Sequence, residues 1–362
     1  MSADPGSGKI QASELNSRHP LGEYKKPNLR KALVQVINTF LPYCALWILM
    51  VFMVHLGFSY WILLALIIPA SLLLLRIFIF FHDCCHNSFF ASRRANRILG
   101  FIAGILTFTP YDDWRRSHGR HHNTTQDLDR RGVGDIWTLT VEEYLAAPKR
   151  NRLAYRFYRN PFALFGLIPF IYFFIRQRFP NKVAGKREIY SVVFTDMAIL
   201  VIIAGVSMTI GLGTYLLIQL PIMAIAGAIG VWLFYVQHQF EGVYWARQEN
   251  WDPRRAALEG SSYYRLPKVL QWFTGNIGLH HIHHLHPLIP NYHLQGFYDA
   301  EPAVQAVDPV TIRRSLKSLR LNLWHEASQK MVSFRSVRGY LRQSESKAGR
   351  QETWVKALFS GR

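Results

Sequence analysis

The chain has 362 residues, 50% of them hydrophobic, and carries a formal net charge of +19. A soluble domain of this length can bury a large core without long charge-free runs, yet here the apolar residues are gathered into such runs. Three cysteines are too few for a disulfide framework. A nucleic-acid partner is not expected either, because the basic excess has a membrane explanation.

Residues 1–31 are polar, rich in Ser, Gly and Lys, and read as a mobile tail. No signal peptide is expected, since no short apolar core with a cleavage-type site follows. From Ala32 to Leu75 there is no Lys, Arg, Asp or Glu. That stretch holds two spans of ~20 residues, placed at 32–55 and 59–81. Two shorter apolar runs follow, Ile98–Phe108 and Pro161–Ile175, and both fall short of the ~20 residues a bilayer requires. Were both to cross, the segment with Arg115, Arg116, Arg120, Arg130, Arg131, Lys149 and Arg150 would face outside, against the positive-inside rule. Both are therefore expected along the cytosolic interface. From Glu188 to Ala246 Lys and Arg are again absent, which places spans at 190–210 and 214–235, turned at Gly211-Leu212-Gly213. Beyond about Gln248 the composition is mixed. "SLKSLRLNLW" (Ser315–Trp324) has the pattern of an amphipathic helix, and 336–362 reads as a polar tail.

All 42 Lys and Arg lie outside these two runs, 32–75 and 188–246. One side of the bilayer then carries the basic residues, and that side is cytosolic. The expectation is an all-α integral membrane protein, with four transmembrane helices in two hairpins, a cytosolic helical cap, and one domain over 32–335. Both termini face the cytosol. Attraction to anionic lipid or to an acidic protein is a secondary reading of the charge. Cys84 and Cys85 fall on the cytosolic side, where thiols stay reduced.

The fifteen histidines are spaced in boxes. Box one is His82-Asp-Cys-Cys-His86, box two His118-Gly-Arg-His121-His122, and box three His280-His-Ile-His283-His284. His238 stands alone in "YVQHQFE" after the last span. On an α-helix each residue advances ~100°, so positions i, i+3 and i+4 share a face. Each box therefore offers two or three aligned nitrogen donors, and His238 brings the set to nine. By the topology above, all four elements converge at the cytosolic membrane face. Nine donors exceed the four ligands a zinc site takes and suit two ions of higher coordination. Imidazole alone leaves iron, copper, zinc and nickel open.

Metal-bound histidines commonly donate their second N–H to a carboxylate. Asp83, inside box one, leads those candidates, followed by Glu241 and Asn276. Asp112, Asp113, Asp127, Asp129 and Asp135 are also near in sequence, though solvated or arginine-paired acids are the plainer reading for most of them. Asp196, within the third span, is either a functional intramembrane carboxylate or a hydrogen-bonded helix contact. In "HHIHHLH" the helical phase turns His281 and His286 away from the ligand face, and Pro287 ends the helix.

At these residues the chain resembles the membrane fatty acid desaturases, and within them the bacterial and plastid acyl-lipid branch acting at Δ12 or ω6. The resemblance is carried by "HDCCHNSFF", "YDDWRRSHGRHHNTT", "GVWLFYVQHQFE" and "TGNIGLHHIHHLHPLIPNY", and runs from about residue 35 to 335. Cys85 departs from the Gly that many relatives carry. The resemblance implies that His82, His86, His118, His121, His122, His238, His280, His283 and His284 hold two irons. It implies an O2-dependent reaction that removes two hydrogens from adjacent methylenes of a lipid acyl chain and leaves a cis double bond. It also implies an inner-membrane enzyme if the source is bacterial.

No Gly-rich dinucleotide fingerprint, iron–sulfur cysteine cluster or fused haem motif is present. Electrons are thus expected from a separate donor of ferredoxin or cytochrome b5 type, docked on the basic face of Arg115, Arg116, Arg120, Arg130 and Arg131. Three other readings compete. A related di-iron hydroxylase or ketolase would act on lipid, alkane or carotenoid. A membrane zinc protease carries H-E-x-x-H, whereas box one has Asp83. A metal transporter places its ligands at mid-bilayer, whereas these cluster at helix ends.

Overall fold

The computed structural model describes residues 21–337 and 339. The first twenty residues and most of the 336–362 tail lie outside the described residues.

A short helix α1 (Leu21–Tyr24) precedes α2 (Leu29–His55) and α3 (Tyr60–His86). Helix α1 thus falls within the segment read as a tail, and Tyr24 packs edge-on against Phe297 at 5.4 Å. Then come α4 (Arg93–Leu106), α5 (Tyr111–Thr124), α6 (Val141–Ala146), α7 (Lys149–Tyr158) and α8 (Ile168–Phe174). The second long pair is α9 (Lys186–Ile210) and α10 (Leu212–His238). Later come α11 (Pro253–Leu258), α12 (Lys268–Phe273), α13 (His280–Leu285) and α14 (Asn291–Ala300), with two single-turn helices at Pro302–Gln305 and Ile312–Ser315. Among the described residues, four helices are long and apolar enough to cross a membrane: those ending at His55, His86, Ile210 and His238. Each of the last three runs to or past the expected end. The extensions matter, because α3 and α10 carry box one and His238 on their last turns. Gly211, at φ +84, makes the turn between α9 and α10.

The second short apolar segment packs down beside α10. The helical pair Lys149–Tyr158 and Ala163–Arg178 is bent by 67°, and α8 descends along α10. Pro169 and Phe173 meet the bare backbone of Gly227, eleven residues before His238 and therefore about 16 Å along the helix. Glycine at 227 is what admits this approach: a Cβ there would stand 3.3 Å from that of Pro169. At the bottom of the descent Arg178 pairs with Asp196 and donates to the Phe108 carbonyl. Phe108 follows α4, and its ring meets Phe174 at 5.3 Å. Asp196 is therefore a structural partner that ties both short segments to α9.

The Ser315–Trp324 stretch is not an amphipathic α-helix. It forms one helical turn, a 3-10 stretch to Arg320, and then a strand at Leu323–His325. That strand joins Leu139–Thr140 and Lys330–Val332 in a three-stranded sheet. The cause is capture of its carbonyls by distant side chains. Tyr235 donates to Ser318, Arg159 to Leu321 and Tyr155 to Asn322, which withdraws the acceptors a continuous helix needs.

A second pairing, Tyr263–Arg265 with Pro309–Thr311, leads the chain into box three. There the Tyr264 N–H donates to the Gly278 carbonyl at 2.7 Å. A Cβ on Gly278 would lie 2.4 Å from the Tyr264 carbonyl oxygen. Backbone cannot move aside as a flexible side chain can, so Gly278→Ala is expected to cost about 1–3 kcal/mol. The measurement is the melting temperature of the purified protein in detergent, and an unchanged value would contradict the close approach.

Candidate metal centre

Four elements bring the nine histidines together. His82 and His86 come from the end of α3, and His118, His121 and His122 from α5. His238 ends α10, and His280, His283 and His284 share one face of α13. They divide into two groups. His82, His86, His118, His122 and His283 form one, and His121, His238, His280 and His284 the other; within each, the nitrogens lie within 4.8 Å of one another. The groups adjoin, since the rings of His122 and His284 stack at 4.2 Å.

The nitrogens that meet are mostly Nε2. His86 and His118 face each other at 2.9 Å, His118 and His122 at 3.1 Å, and His122 and His283 at 3.0 Å. In the other group His121 and His238 stand 3.1 Å apart, His238 and His280 3.0 Å, and His280 and His284 3.1 Å. Burial, and then the neighbouring imidazoles, hold His118, His122, His280, His283 and His284 well below the ordinary histidine range. They are neutral near pH 7, with one lone pair each.

Two histidines are held from behind. His121 has Nδ1 at 2.6 Å from Asp135 Oδ1, and His238 has Nδ1 at 3.3 Å from the Gly260 carbonyl. A partner at Nδ1 fixes the ring and turns Nε2 toward a shared position. The two Nε2 atoms face each other at 3.1 Å, the spacing of two donors to one cation. The donor set therefore fits metal. Nitrogens about 2.1 Å from a shared ion stand about 3.0 Å apart at right angles and about 3.4 Å apart in a tetrahedron. The closest pairs stand near the right-angled spacing, and all others in each group lie within 4.8 Å.

Among the partners expected from sequence, Asp83 is well placed. Its Oδ1 lies 3.2 Å from His82 Nδ1, and its Oδ2 accepts from the Asn291 backbone and side chain at 2.8 and 2.9 Å. One carboxylate thus orients a box-one histidine and anchors α14. Glu241 is not at the site. It is exposed and meets Lys317 Nζ at 3.5 Å, because the chain leaves α10 at Gln239 and turns at Gly242, φ +89. Asn276 reaches no histidine; it donates to the Asn291 carbonyl at 3.1 Å and supplies a turn at φ +57. Asp112, Asp113, Asp127 and Asp129 bind arginines, an asparagine or backbone.

Asp135 is the partner that sequence reasoning undervalued. It lies in the loop "GVGD" after box two, where Gly132 and Gly134 adopt φ +104 and +74. Gly134 passes so close to α5 that a Cβ would sit 3.2 Å from the Ser117 carbonyl oxygen and from His121 Cβ. A carboxylate directly after two closely spaced glycines was the available signal. Asp135→Asn keeps the shape and removes the charge. It is expected to weaken metal retention about 10–100-fold, read as the chelator concentration that strips half the metal. Equal resistance to chelator would remove Asp135 from the site.

A cavity of about 420 Å³ opens onto both groups, reaching His82, His118 and His280. One part of its wall is apolar, built from Leu74, Leu75 and Phe78 of α3 and from Met223, Ala226 and Gly230 of α10, while Asp135, Arg176, Gln177 and Asn181 line another part. The molecule thus holds a cleft with an apolar stretch between α3 and α10 that ends against a wall of imidazoles.

Comparison with known proteins agrees with this geometry. A family model described as fatty acid desaturase matches residues 59–313. A fatty acid desaturase of Bacillus subtilis is 48% identical over 315 residues, which is 87% of this chain and 89% of that protein. The sn-1 oleoyl-lipid 12-desaturase of a Synechocystis species is 27% identical over 60% of this chain and 62% of its own length. The sn-1 acyl-lipid omega-3 desaturase (ferredoxin) of a Nostoc species is 26% identical over 69% of each. With the helical membrane architecture and the clustered histidine boxes, these matches establish that the chain belongs to the fatty acid desaturase family and is an enzyme of unsaturated lipid metabolism.

Proposed function

We propose that the nine histidines hold two irons and that the enzyme uses O2 to place a cis double bond in the acyl chain of a membrane lipid, at the Δ12 position. The observation that carries the metal assignment is the face-to-face approach of His121 and His238 through Nε2, each ring being held at Nδ1 by another partner. The group of five would leave about one position open on a six-coordinate ion and the group of four about two. When bound, the irons supply the O2 chemistry that breaks unactivated C–H bonds. The chain itself supplies placement. Its cleft takes an extended apolar tail, excludes water from it, and holds two neighbouring methylenes against His82, His118 and His280, as orientation requires. Trp114 stacks on His118 at 4.2 Å and stiffens that wall.

Electrons come from a separate donor of ferredoxin or cytochrome b5 type; one relative's name specifies ferredoxin. Of the five arginines on the basic face, Arg116, Arg130 and Arg131 are paired with Glu188, Asp127 and Glu143. Arg115 and Arg120 form no such ion pair among the described residues and remain for an acidic donor. The centre faces the cytosol, as the basic residues around it favour.

The Δ12 position rests on the motif resemblance and on the relatives named for it, while others of similar identity are named for ω-3. Expression in a host that makes no polyunsaturated lipid reads the position directly. A new dienoic acid unsaturated at C12 is the expected product. A double bond elsewhere overturns the position alone, and an unchanged profile counts against the enzyme assignment. Metal analysis separates the remaining reading: about two irons per chain supports the centre, and zinc alone would sink it.

A further inference from the structure

Arg76 is the feature that desaturation does not use. It lies ten residues before His86 on α3 and is 2% exposed. Its Nε donates to Thr39 Oγ1 on α2 at 3.0 Å. The guanidinium lies under the Trp272 ring of α12, 4.1 Å from its centroid, and 5.4 Å from that of Phe80. No carboxylate pairs with it, and its two Nη groups meet no acceptor among the described residues. A guanidinium is always charged and carries five N–H donors, so four of them stand without an acceptor. Burying such a charge in a membrane helix is unfavourable unless an anion completes it.

The depth of Arg76 says where that anion comes from. Tyr60 and Trp61 begin α3, are 42% and 80% exposed, and mark the far membrane boundary as an aromatic belt. Arg76 is sixteen residues further along, about 24 Å. A hydrocarbon core of about 30 Å then places it about 6 Å inside the near boundary, within the reach of a snorkelling arginine. Trp272, 39% exposed, stands where an interfacial tryptophan belongs. Arg76 is also on the side of α3 away from the cleft, whose wall includes Leu75 and Ile79 but not Arg76.

We infer that Arg76, beneath Trp272, is an oxyanion site for phosphate, filled by the phosphodiester of a bilayer phospholipid that is not the acyl substrate. The planar fork of Nη donors matches two phosphate oxygens. The lipid neutralises the charge and pins α2, α3 and α12 at the membrane boundary.

The test uses full-length protein, delipidated in detergent, and thermal unfolding with three probes: phosphatidylglycerol, diacylglycerol, which has no phosphate, and inorganic phosphate. The wild type is expected to gain several degrees with phosphatidylglycerol and nothing with diacylglycerol. Arg76→Met is expected to lose the gain, and Arg76→Lys, which keeps the cation, to retain part of it. Should Arg76→Met fail to fold, Arg76→Lys and the phosphorus content of delipidated wild type carry the test. An equal response to diacylglycerol, or a full phosphatidylglycerol response in Arg76→Met, overturns the site. A response to inorganic phosphate as large as that to lipid overturns the lipid source and leaves a soluble oxyanion.

Discussion

Replacing His283 with alanine is expected to abolish desaturation and release metal, while replacing its near neighbour His281 is expected to spare both. The two lie within one helical turn and are both almost fully buried, so burial does not distinguish them; direction does. His283 Nε2 meets His122 Nε2 at 3.0 Å, and its ring lies 4.4 Å from that of His82. His281 points to the other side of α13, where its Nε2 lies 3.1 Å from the Val304 carbonyl. Burial pushes the His281 ring down to about 4, so it is a neutral donor to that carbonyl at working pH. His283→Ala removes one of five donors from a group. Since even a supporting partner of a ligand is worth about 10–100-fold, loss of a ligand is expected to cost more than 100-fold in turnover. His281→Ala loses a buried hydrogen bond, about 1–3 kcal/mol of stability, and keeps its metal. His286→Ala, at the end of α13, is expected to behave likewise. Metal content and product formation on the three purified variants decide the matter. Loss of metal from His281→Ala at unchanged melting temperature would mean that box three is read on the wrong face.

What could be read from sequence was what local periodicity encodes. The spans follow from long apolar runs without Lys or Arg, and the sharing of a face by His280, His283 and His284 follows from helical phase alone. His238 was legible because α10 carries its helical pattern to the boundary. What could not be read depends on contacts across the chain. Asp135 finds His121 through a glycine loop that folds back on α5. Asn291 finds Asp83 across more than two hundred residues. Glu241 is close to His238 in sequence and far from the site in space, because one turn at Gly242 redirects the backbone. The stretch at 315–324 has an amphipathic helix pattern, but Tyr155, Arg159 and Tyr235 take its carbonyls. The descent of α8 was hidden for a related reason: a run too short to span can still enter beside α10 when a glycine clears the way. Arg76 falls within the span placed at 59–81, but its cover under Trp272 and its bond to Thr39 are contacts across the chain that local pattern does not show.

Gly230→Leu is expected to separate binding from metal chemistry. Gly230 lines the cleft on α10, and a Cβ there would meet only Leu75 Cδ1 at 3.6 Å, an ordinary contact. Alanine should therefore be accepted with little effect. A leucine extends further, and the open direction is the cleft itself, about 420 Å³ in all. The added methyls occupy space that the acyl tail needs. Overpacking of this kind costs about 1–3 kcal/mol, which corresponds to a loss of about 5–150-fold in the specificity constant for a long acyl chain. The histidines are untouched, since His238 stands eight residues further along α10, and metal content is expected to equal that of the wild type. A shorter acyl chain, which does not reach Gly230, should recover part of the loss. Gly230→Leu with wild-type turnover would mean that the acyl tail takes another path. Loss of metal in this variant would mean that the helix, rather than the cleft, had been disturbed. Only the combination of full metal, impaired long-chain turnover and partial recovery with a short chain places the tail between α3 and α10.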